Sequence, residues 1–311
     1  MHTQCQDIPC ILPQGFVFNT PLVSVSALYE ALQKGTTLQL WDVRYALPNA
    51  PCRAEESFQQ KHLPESRFVC LDTDLSVPDP QGRPHMMPAA DVFATLLGRL
   101  DYHPQVPLVL VDTGEGLRSA ARVWWMFQSV GLENVWLLDG GLKAWEREGL
   151  PVTHTHSATP SLKEVLPATV QRIHGCMKPD RLHLYWCDKQ AIDNRDVART
   201  PVLDARMPER FLGTVPEPRA GLRSGHIEGS CNMPFHQVYD TATGKFLAPE
   251  KLHVLLSPYM KDATSLFTTC GSGVTACSLA VALRLLDTDV NAKIPPVMVY
   301  DGSWAEYGMQ F

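Results

Sequence analysis

The sequence predicts an α/β protein made of two tandem domains, each with a mainly parallel sheet flanked by helices. The first observation is length, because 311 residues is about twice the roughly 150 residues of a typical domain. The second is the alternation of short apolar runs with amphipathic segments, which is typical of parallel strands joined by helices. The third is an internal repeat of four landmarks about 160 residues apart, which indicates duplicated domains because solenoid repeats are far shorter.

The individual elements follow from hydrophobic periodicity. Nearly continuous apolar runs predict strands that are buried on both faces, at residues 38–41, 108–111 and 135–138. Apolar residues at helical spacing predict helices at 25–32, 90–100, 121–130 and 142–147 in the first half, and at 252–260 and 275–286 in the second. Weaker patterning predicts one more strand at 182–186.

The repeated landmarks place the domain boundary. Each copy contains an Asp-x-Arg triplet after a strand, a His-x-x-x-Ser segment, a strand-turn-helix unit and an Asp-Gly pair before a tryptophan. Residues 153–161 are rich in His, Thr, Ser and Pro, which predicts a connecting segment. We therefore predict domains at 1–152 and 167–311, joined by a linker at 153–166. The paired landmark residues are Asp42 and Asp204, His62 and His226, Asp112 and Cys270, and Asp139 and Asp301.

Composition and charge exclude several classes of protein. With 27 basic and 33 acidic side chains the net charge is −6, so neither nucleic acid nor an anionic membrane surface is an expected partner. No apolar run reaches the roughly 18 residues that a membrane-spanning helix needs. No Lys or Arg precedes Lys34, which argues against a secretory or transit peptide and favours a cytoplasmic protein. The nine cysteines show no CxxC spacing, so we expect free thiols, and neither a metal nor an organic cofactor.

The strongest chemical signal is Cys270, which follows a β-type run and precedes the small-residue loop Gly-Ser-Gly. A helix is predicted to begin near Val274, so the thiol lies at the carboxyl end of a parallel strand, where open α/β sheets place their ligand sites. Loop amides and the helix N-terminus direct partial positive charge at the sulfur and favour the nucleophilic thiolate. Gly271 and Gly273 allow the backbone to curl so that several amides converge on one anion.

This loop and three other segments resemble the rhodanese superfamily, and within it the two-domain sulfurtransferases. Residues 270–276, Cys-Gly-Ser-Gly-Val-Thr-Ala, resemble the active loop of the members that use 3-mercaptopyruvate. Members that prefer thiosulfate typically carry an Arg-Lys pair where Gly271 and Ser272 stand. The other matching segments are 121–127, 138–142 and 225–230. The resemblance spans nearly the whole chain and implies two rhodanese-like domains.

The resemblance implies an enzyme that moves sulfur from 3-mercaptopyruvate through a Cys270 persulfide to a thiol acceptor such as thioredoxin, or to cyanide, releasing pyruvate. It also implies that Arg210 and Arg219 bind the carboxylate and keto oxygens of the donor, since a guanidinium fork matches a carboxylate. The remaining substrate-binding positions that it implies are Gly271, Gly273, Val274 and Thr275 of the loop.

Related enzymes use a relay of serine, histidine and aspartate, which would map onto Ser272 and His62. The acids closest before this histidine in the sequence are Glu55 and Glu56 rather than an aspartate. Either a glutamate replaces the aspartate, or Ser272 acts alone as a hydrogen-bond donor. Because His226 occupies the duplicate position, a structural role for His62 also stays open.

Asp112 stands in the first copy where Cys270 stands in the second, and a carboxylate cannot form a persulfide. The first domain is therefore predicted to be catalytically silent. One alternative activity is a thiosulfate:cyanide sulfurtransferase, which would need more positive charge beside the cysteine. A phosphatase of the related fold needs an arginine where Ala276 stands. A third alternative is a persulfide relay protein that depends on a partner.

Overall fold

The computed structural model describes residues 20–47, 50, 53–115, 118–154, 165–286 and 294–310. They form two compact units. The first unit takes its described residues from 1–76 and 88–181, and the second from 77–87 and 182–311. None of the helices in these ranges is long and apolar enough to cross a membrane.

The first unit is built on a five-stranded parallel sheet with the order β1-β5-β4-β2-β3. Strands β4 and β5 are fully buried and consist of apolar residues alone, which explains their continuous apolar runs in the sequence. The strands are β1 Leu22–Val23, β2 Gln39–Asp42, β3 Arg67–Phe68, β4 Leu108–Val111 and β5 Val135–Leu138. The helices are α1 Val25–Gln33, α2 Ala54–Gln60, α3 Ala90–Arg99, α4 Ser119–Ser129, α5 Gly141–Arg147 and α6 Pro167–Gly175.

The second unit repeats this architecture with a parallel sheet of order β6-β10-β9-β7-β8. Helix α10 is buried along its whole length and packs against β7, β9 and β10. The strands are β6 Trp186–Cys187, β7 Val202–Asp204, β8 Cys231–Asn232, β9 Leu266–Thr269 and β10 Val297–Tyr300. The helices are α7 Lys189–Asp193, α8 Pro208–Phe211, α9 Pro249–Met260, α10 Ala276–Leu286 and α11 Ser303–Tyr307. The predicted duplication and α/β fold are thus both present.

The division between the units differs from the predicted boundary in two places. Helix α6 belongs to the first unit, because Val165 and Val170 pack directly over Gly98 of α3, within 4 Å of where a Cβ would lie. Residues 77–87 belong to the second unit although both flanking segments belong to the first. Residues 155–164 of the predicted linker lie outside the described residues.

Two local predictions also need correction. The segment 182–186 contains the end of a 3₁₀ turn, Pro179–Leu184, and only its last residue starts strand β6. Helix α10 begins at Ala276 rather than near Val274. Its first turn is tightened by bonds from Cys277 N to Val274 O and from Ser278 N to Thr275 O, which span three residues rather than four.

Candidate active site

Three neighbouring strands of the second unit end at one edge of the sheet and bring the site together. Cys270 follows β9 directly, and its residue is only 2% exposed. The flanking strands β7 and β10 end at Asp204 and Tyr300. Because all three strands are parallel, the residues after them share the carboxyl edge, where α/β sheets place their ligands.

The backbone of the cysteine loop is fixed by the segment after β10. The Cys270 amide donates to Ser303 Oγ (3.2 Å), and that hydroxyl donates in turn to the carbonyl of Tyr300 (2.8 Å). The amides of Trp304 and Ala305, at the start of α11, donate to the carbonyls of Cys270 (3.0 Å) and Gly271 (2.9 Å). The loop therefore starts from a rigid base, which is what a preorganised anion site needs.

The other loop amides are available to an anion. In the part of the chain that the structure describes, no hydrogen bond engages the amides of Gly271, Ser272, Val274 or Thr275. Gly273 has a left-handed φ of 74°, which turns the chain back toward the start of α10. Val274 and Thr275 are buried. Successive amides at a turn and a helix N-terminus suit a thiolate or a persulfide anion.

A chain of ion pairs leads from the sheet to this loop. Arg206 bonds Asp204 through Nε (3.0 Å) and Nη2 (2.6 Å), and its Nη1 bonds Glu217 Oε1 (2.9 Å). Glu217 in turn bonds Arg210 through Oε1 (3.3 Å) and Oε2 (2.5 Å). Burial disfavours the charged Arg206 guanidinium, but the hydrogen bonds and charges of Asp204 and Glu217 more than offset this and raise its pKa.

Arg210 lies at the outer end of this chain, directly over the cysteine loop. A Cβ placed on Gly271 would come within 2.8 Å of Arg210 Nη2, so glycine is what allows the guanidinium to approach this closely. Arg219 is half-buried and makes no hydrogen bond or ion pair with the described residues. Both arginines predicted to bind substrate thus belong to the unit that carries Cys270.

The histidine that contacts Ser272 is His85. Its Nδ1 lies 3.1 Å from Ser272 Oγ, and both residues are buried. The segment 77–87 that carries it is anchored to the same unit by Arg83, which pairs with Asp79 (2.8 Å) and Glu306 (2.5 Å). The amide of Met87 also donates to Asp301 Oδ2, in the same unit, at 2.7 Å. A residue far from Ser272 in sequence is thus held firmly beside it.

His62 has a different environment from the one that the relay prediction requires. It lies in the first unit, stacked on Phe58 with ring centroids 3.9 Å apart, and its Nδ1 is 2.7 Å from Phe58 O. His226 repeats this arrangement on Phe211, with centroids 3.9 Å and Nδ1–O 2.8 Å apart. Burial lowers the pKa of His62. Within the second unit the histidine beside Ser272 is thus His85, and the surroundings of His62 match those of its duplicate His226. The catalytic role of His62 stays a prediction.

The corresponding loop of the first unit keeps the same backbone frame without the nucleophile. The amides of Leu142 and Lys143 donate to the carbonyls of Asp112 (2.9 Å) and Thr113 (3.1 Å), as their counterparts do at Cys270. The Asp112 carboxylate accepts from the amide of Gly114 at 2.9 Å. Its own negative charge thus occupies the position that would otherwise receive an anion.

Both copies of this sheet and loop match one family of domains. A model of the rhodanese-like domain matches residues 24–148 and 188–310. The chain belongs to the rhodanese family. The chain is 36% identical to human 3-mercaptopyruvate sulfurtransferase, over 93% of its own length and 92% of the relative's. It is also 35% identical to rat thiosulfate sulfurtransferase, over 92% of its length and 91% of the relative's.

Other relatives agree on the fold and the family. The mitochondrial thiosulfate/3-mercaptopyruvate sulfurtransferase 1 of Arabidopsis thaliana is 35% identical, and the match covers 93% of this chain and 76% of the plant protein. The crystal structure of SseA from Escherichia coli, described with the catalytic mechanism of 3-mercaptopyruvate sulfotransferases, superposes with a TM-score of 0.70 and 27% identity. That match covers 92% of this chain and 99% of SseA.

Proposed function

We propose that this protein is a 3-mercaptopyruvate sulfurtransferase, which moves sulfur through a Cys270 persulfide to a thiol acceptor or cyanide and releases pyruvate. The observation that carries the proposal is the Arg210 guanidinium over Gly271, beside the cysteine. A donor that carries its sulfur next to a carboxylate fits this pairing of a nucleophile with a guanidinium fork. The names and identities of the relatives support the same donor.

The donor carboxylate is bound by Arg210, and Arg219 supplies the second guanidinium for the keto oxygen. Within the described ranges three N–H groups of Arg210 remain for a ligand, because the Nε–H and one Nη2–H are taken by Glu217. The reacting sulfur then lies toward Cys270. The amides of Gly271, Ser272, Val274 and Thr275 receive the negative charge that moves between donor and enzyme.

The reaction takes place in two displacements. The Cys270 thiolate attacks the sulfur of 3-mercaptopyruvate, an S–S bond forms, and the C–S bond breaks with its electron pair passing to the enolate of pyruvate. The donor sulfur loses one proton and the enolate carbon gains one, so the first displacement is balanced. The acceptor thiolate or cyanide then attacks the outer sulfur, the S–S bond breaks, and Cys270 returns as a thiolate. A covalent intermediate of this kind gives ping-pong kinetics.

Proton transfer to the enolate is assigned to Ser272 and His85. The hydroxyl belongs to the cysteine loop, and the imidazole lies 3.1 Å from it. Because a serine hydroxyl both donates and accepts, it passes a proton to the enolate and recovers one from the imidazole, and the imidazole takes up the proton that the donor sulfur loses. His85 thus takes the role that the sequence had assigned to His62.

For the acceptor we propose a thiol, with thioredoxin as one candidate and cyanide as a laboratory substitute. We also propose a cytoplasmic location. All six cysteines in the described ranges are free thiols, which suits a reducing compartment. The name of one relative, in contrast, includes a mitochondrial location, so microscopy of the tagged protein is the direct check.

The test of the proposed donor is a side-by-side steady-state assay with 3-mercaptopyruvate and thiosulfate, using the wild type and Cys270→Ser. We expect a clear preference for 3-mercaptopyruvate in kcat/KM and no turnover by the variant. Arg210→Ala and Arg219→Ala should each raise KM for 3-mercaptopyruvate. The fall in kcat/KM should correspond to a loss of about 2–5 kcal/mol in transition-state stabilisation. Preference for thiosulfate would overturn the donor assignment and leave Cys270 in place.

Thiosulfate:cyanide sulfurtransferase is the second candidate function, because rat thiosulfate sulfurtransferase is as similar to this chain as several 3-mercaptopyruvate relatives. It would use the same persulfide. Its donor is a dianion, and two of the four charged side chains in the ion-pair chain at the loop are carboxylates. Because the two arginines of these ion pairs are balanced by two carboxylates, the ion pairs favour the monoanionic donor.

A further inference from the structure

Glu217 lies between the two proposed substrate arginines in sequence and has no role in the reaction described above. Its side chain is 1% exposed, whereas that of Arg210 is 24% exposed. A buried carboxylate is stable only when it is fully paired, and Glu217 is paired on both oxygens. Its two partners are Arg206, which is buried, and Arg210, which reaches the cysteine loop.

The geometry of the contact determines which edge of Arg210 faces outward. Glu217 takes the side edge of the guanidinium, with Oε1 at Nε and Oε2 at Nη2. The end edge, formed by Nη1 and the second Nη2 hydrogen, makes no bond with any residue in the described ranges. A guanidinium binds a carboxylate with two parallel bonds through either edge. Glu217 therefore leaves the end edge for a ligand.

The position of Glu217 is itself fixed from the sheet. Its Oε1 accepts from Arg206 Nη1 at 2.9 Å, and Arg206 is held by the Asp204 carboxylate at the end of β7. The Arg206 guanidinium also lies 4.4 Å from the ring centre of Trp304, the residue whose amide binds the Cys270 carbonyl. The arginine over the loop and the loop itself are thus fixed to one framework.

From this geometry we infer that Glu217 is a positioning residue for donor recognition, which holds the Arg210 guanidinium with its end edge toward the donor carboxylate. The inference rests on the proposed function. A long arginine side chain that is free in solvent loses conformational freedom when it binds, and Glu217 removes that loss before the donor arrives. The carboxylate acts through Arg210 and touches neither the donor nor the reacting sulfur.

The test compares Glu217→Gln with Glu209→Gln. Glutamine keeps the size of Glu217 but presents an amide donor to one guanidinium nitrogen, so the two-bond contact is lost. Glu209 lies next to Arg210 in α8, is exposed, and makes no side-chain bond among the described residues, so its variant controls for the loss of one negative charge. For Glu217→Gln we expect KM for 3-mercaptopyruvate to rise at least about tenfold, with kcat within about threefold of wild type. The KM for cyanide should stay unchanged, because the second displacement uses no carboxylate.

A lower KM in Glu217→Gln would overturn the inference, since it would mean that Glu217 only offsets the positive charge of Arg210 and so weakens its attraction for the donor. An equal rise in Glu209→Gln would overturn it as well, because no positioning is lost there. Glu217→Asp retains the charge, but the aspartate is too short to hold both arginines, so this variant should raise KM as well. It replaces Glu217→Gln in the test if the glutamine variant fails to fold.

Alkylation of Cys270 separates this inference from the proposed function. The ratio of the rates with iodoacetate and iodoacetamide, followed on the Cys270 peptide by mass spectrometry, reports carboxylate recognition without turnover. The ratio should fall in Glu217→Gln and match wild type in Glu209→Gln. If the ratio responds in this way but 3-mercaptopyruvate is not turned over, the donor assignment fails and the role of Glu217 stands. An unchanged ratio in Glu217→Gln contradicts the inference.

Discussion

Replacing Gly271 with alanine adds a single methyl group at the point where Arg210 approaches the cysteine loop. The added Cβ would lie 2.8 Å from Arg210 Nη2, whereas ordinary contacts begin at 3.4 Å, so the guanidinium must move by about 0.6 Å. It has little room to do so, because the same nitrogen is 2.5 Å from the buried Glu217 Oε2. The φ angle of Gly271 is outside the left-handed region, so alanine introduces no backbone strain there.

The size of the effect follows from the contact that is displaced. A hydrogen bond to a charged group contributes about 1.5–3 kcal/mol, so misplacing one donor bond should lower kcat/KM for 3-mercaptopyruvate by roughly 10- to 150-fold. Steady-state assays with varied donor measure this directly, and thermal unfolding checks that the fold is intact. Gly175→Ala is the matched control, since a Cβ at Gly175 meets no atom of the described residues within 4 Å. If Gly271→Ala is folded and has the kinetics of the wild type, Arg210 does not bind the donor in the way proposed.

Three further predictions concern the two histidines and the buried ion pair. Burial lowers the pKa of His62 below its ordinary value of 6.5, so the stability that comes from its neutral form is complete above that pH and is lost as pH falls below it. Urea unfolding at about pH 7.5 and about pH 5.5 should show a loss of at most about 1.4 kcal/mol per pH unit from this group, and His62→Gln should flatten the slope. Asp204→Asn leaves the buried Arg206 guanidinium with Glu217, which it shares with Arg210, as its charged partner among the described residues, and should lower the free energy of unfolding by about 3–5 kcal/mol; a change below about 1 kcal/mol would show that solvent reaches the pair. Ser272→Ala and His85→Asn should each lower kcat by about 100-fold or more, and the double variant should be no slower than the worse single one, whereas additive effects would show that the two residues do not act as a unit.

The features that the sequence predicted best are those that depend on local pattern. Strands β4 and β5 are correct to the residue, because strands buried on both faces leave an unbroken apolar run. The cysteine loop is similarly local, since a strand, two glycines and a helix follow one another in the chain. Strands β3 and β8 contain two residues each and carry too little periodicity to be recognised.

The features that were missed depend on contacts between distant parts of the chain. His85 lies in a proline-rich segment without periodicity, and only folding brings it to Ser272. Nothing in the spacing of Glu217 distinguishes it from an exposed loop residue, although its carboxylate is buried between two arginines.

One signal in the sequence did separate residues that hold the backbone from the residue proposed as the nucleophile. Both halves contain the Asp-x-Arg pair and the histidine stacked on a phenylalanine, and in both they hold the backbone. Cys270, in contrast, is present in one copy only, where the other has Asp112. In these two cases the duplicated residues hold the backbone, so the duplicate His226 favours a structural role for His62.

The central claim is that Cys270 carries sulfur from 3-mercaptopyruvate as a persulfide, and the most direct measurement is the mass of the Cys270 peptide after the protein meets this donor without an acceptor. The account predicts a gain of one sulfur atom on Cys270, one equivalent of pyruvate released in the same burst, and loss of the added mass when cyanide is supplied. A peptide that stays unmodified while pyruvate is released, or sulfur carried on another cysteine such as Cys277, would contradict it.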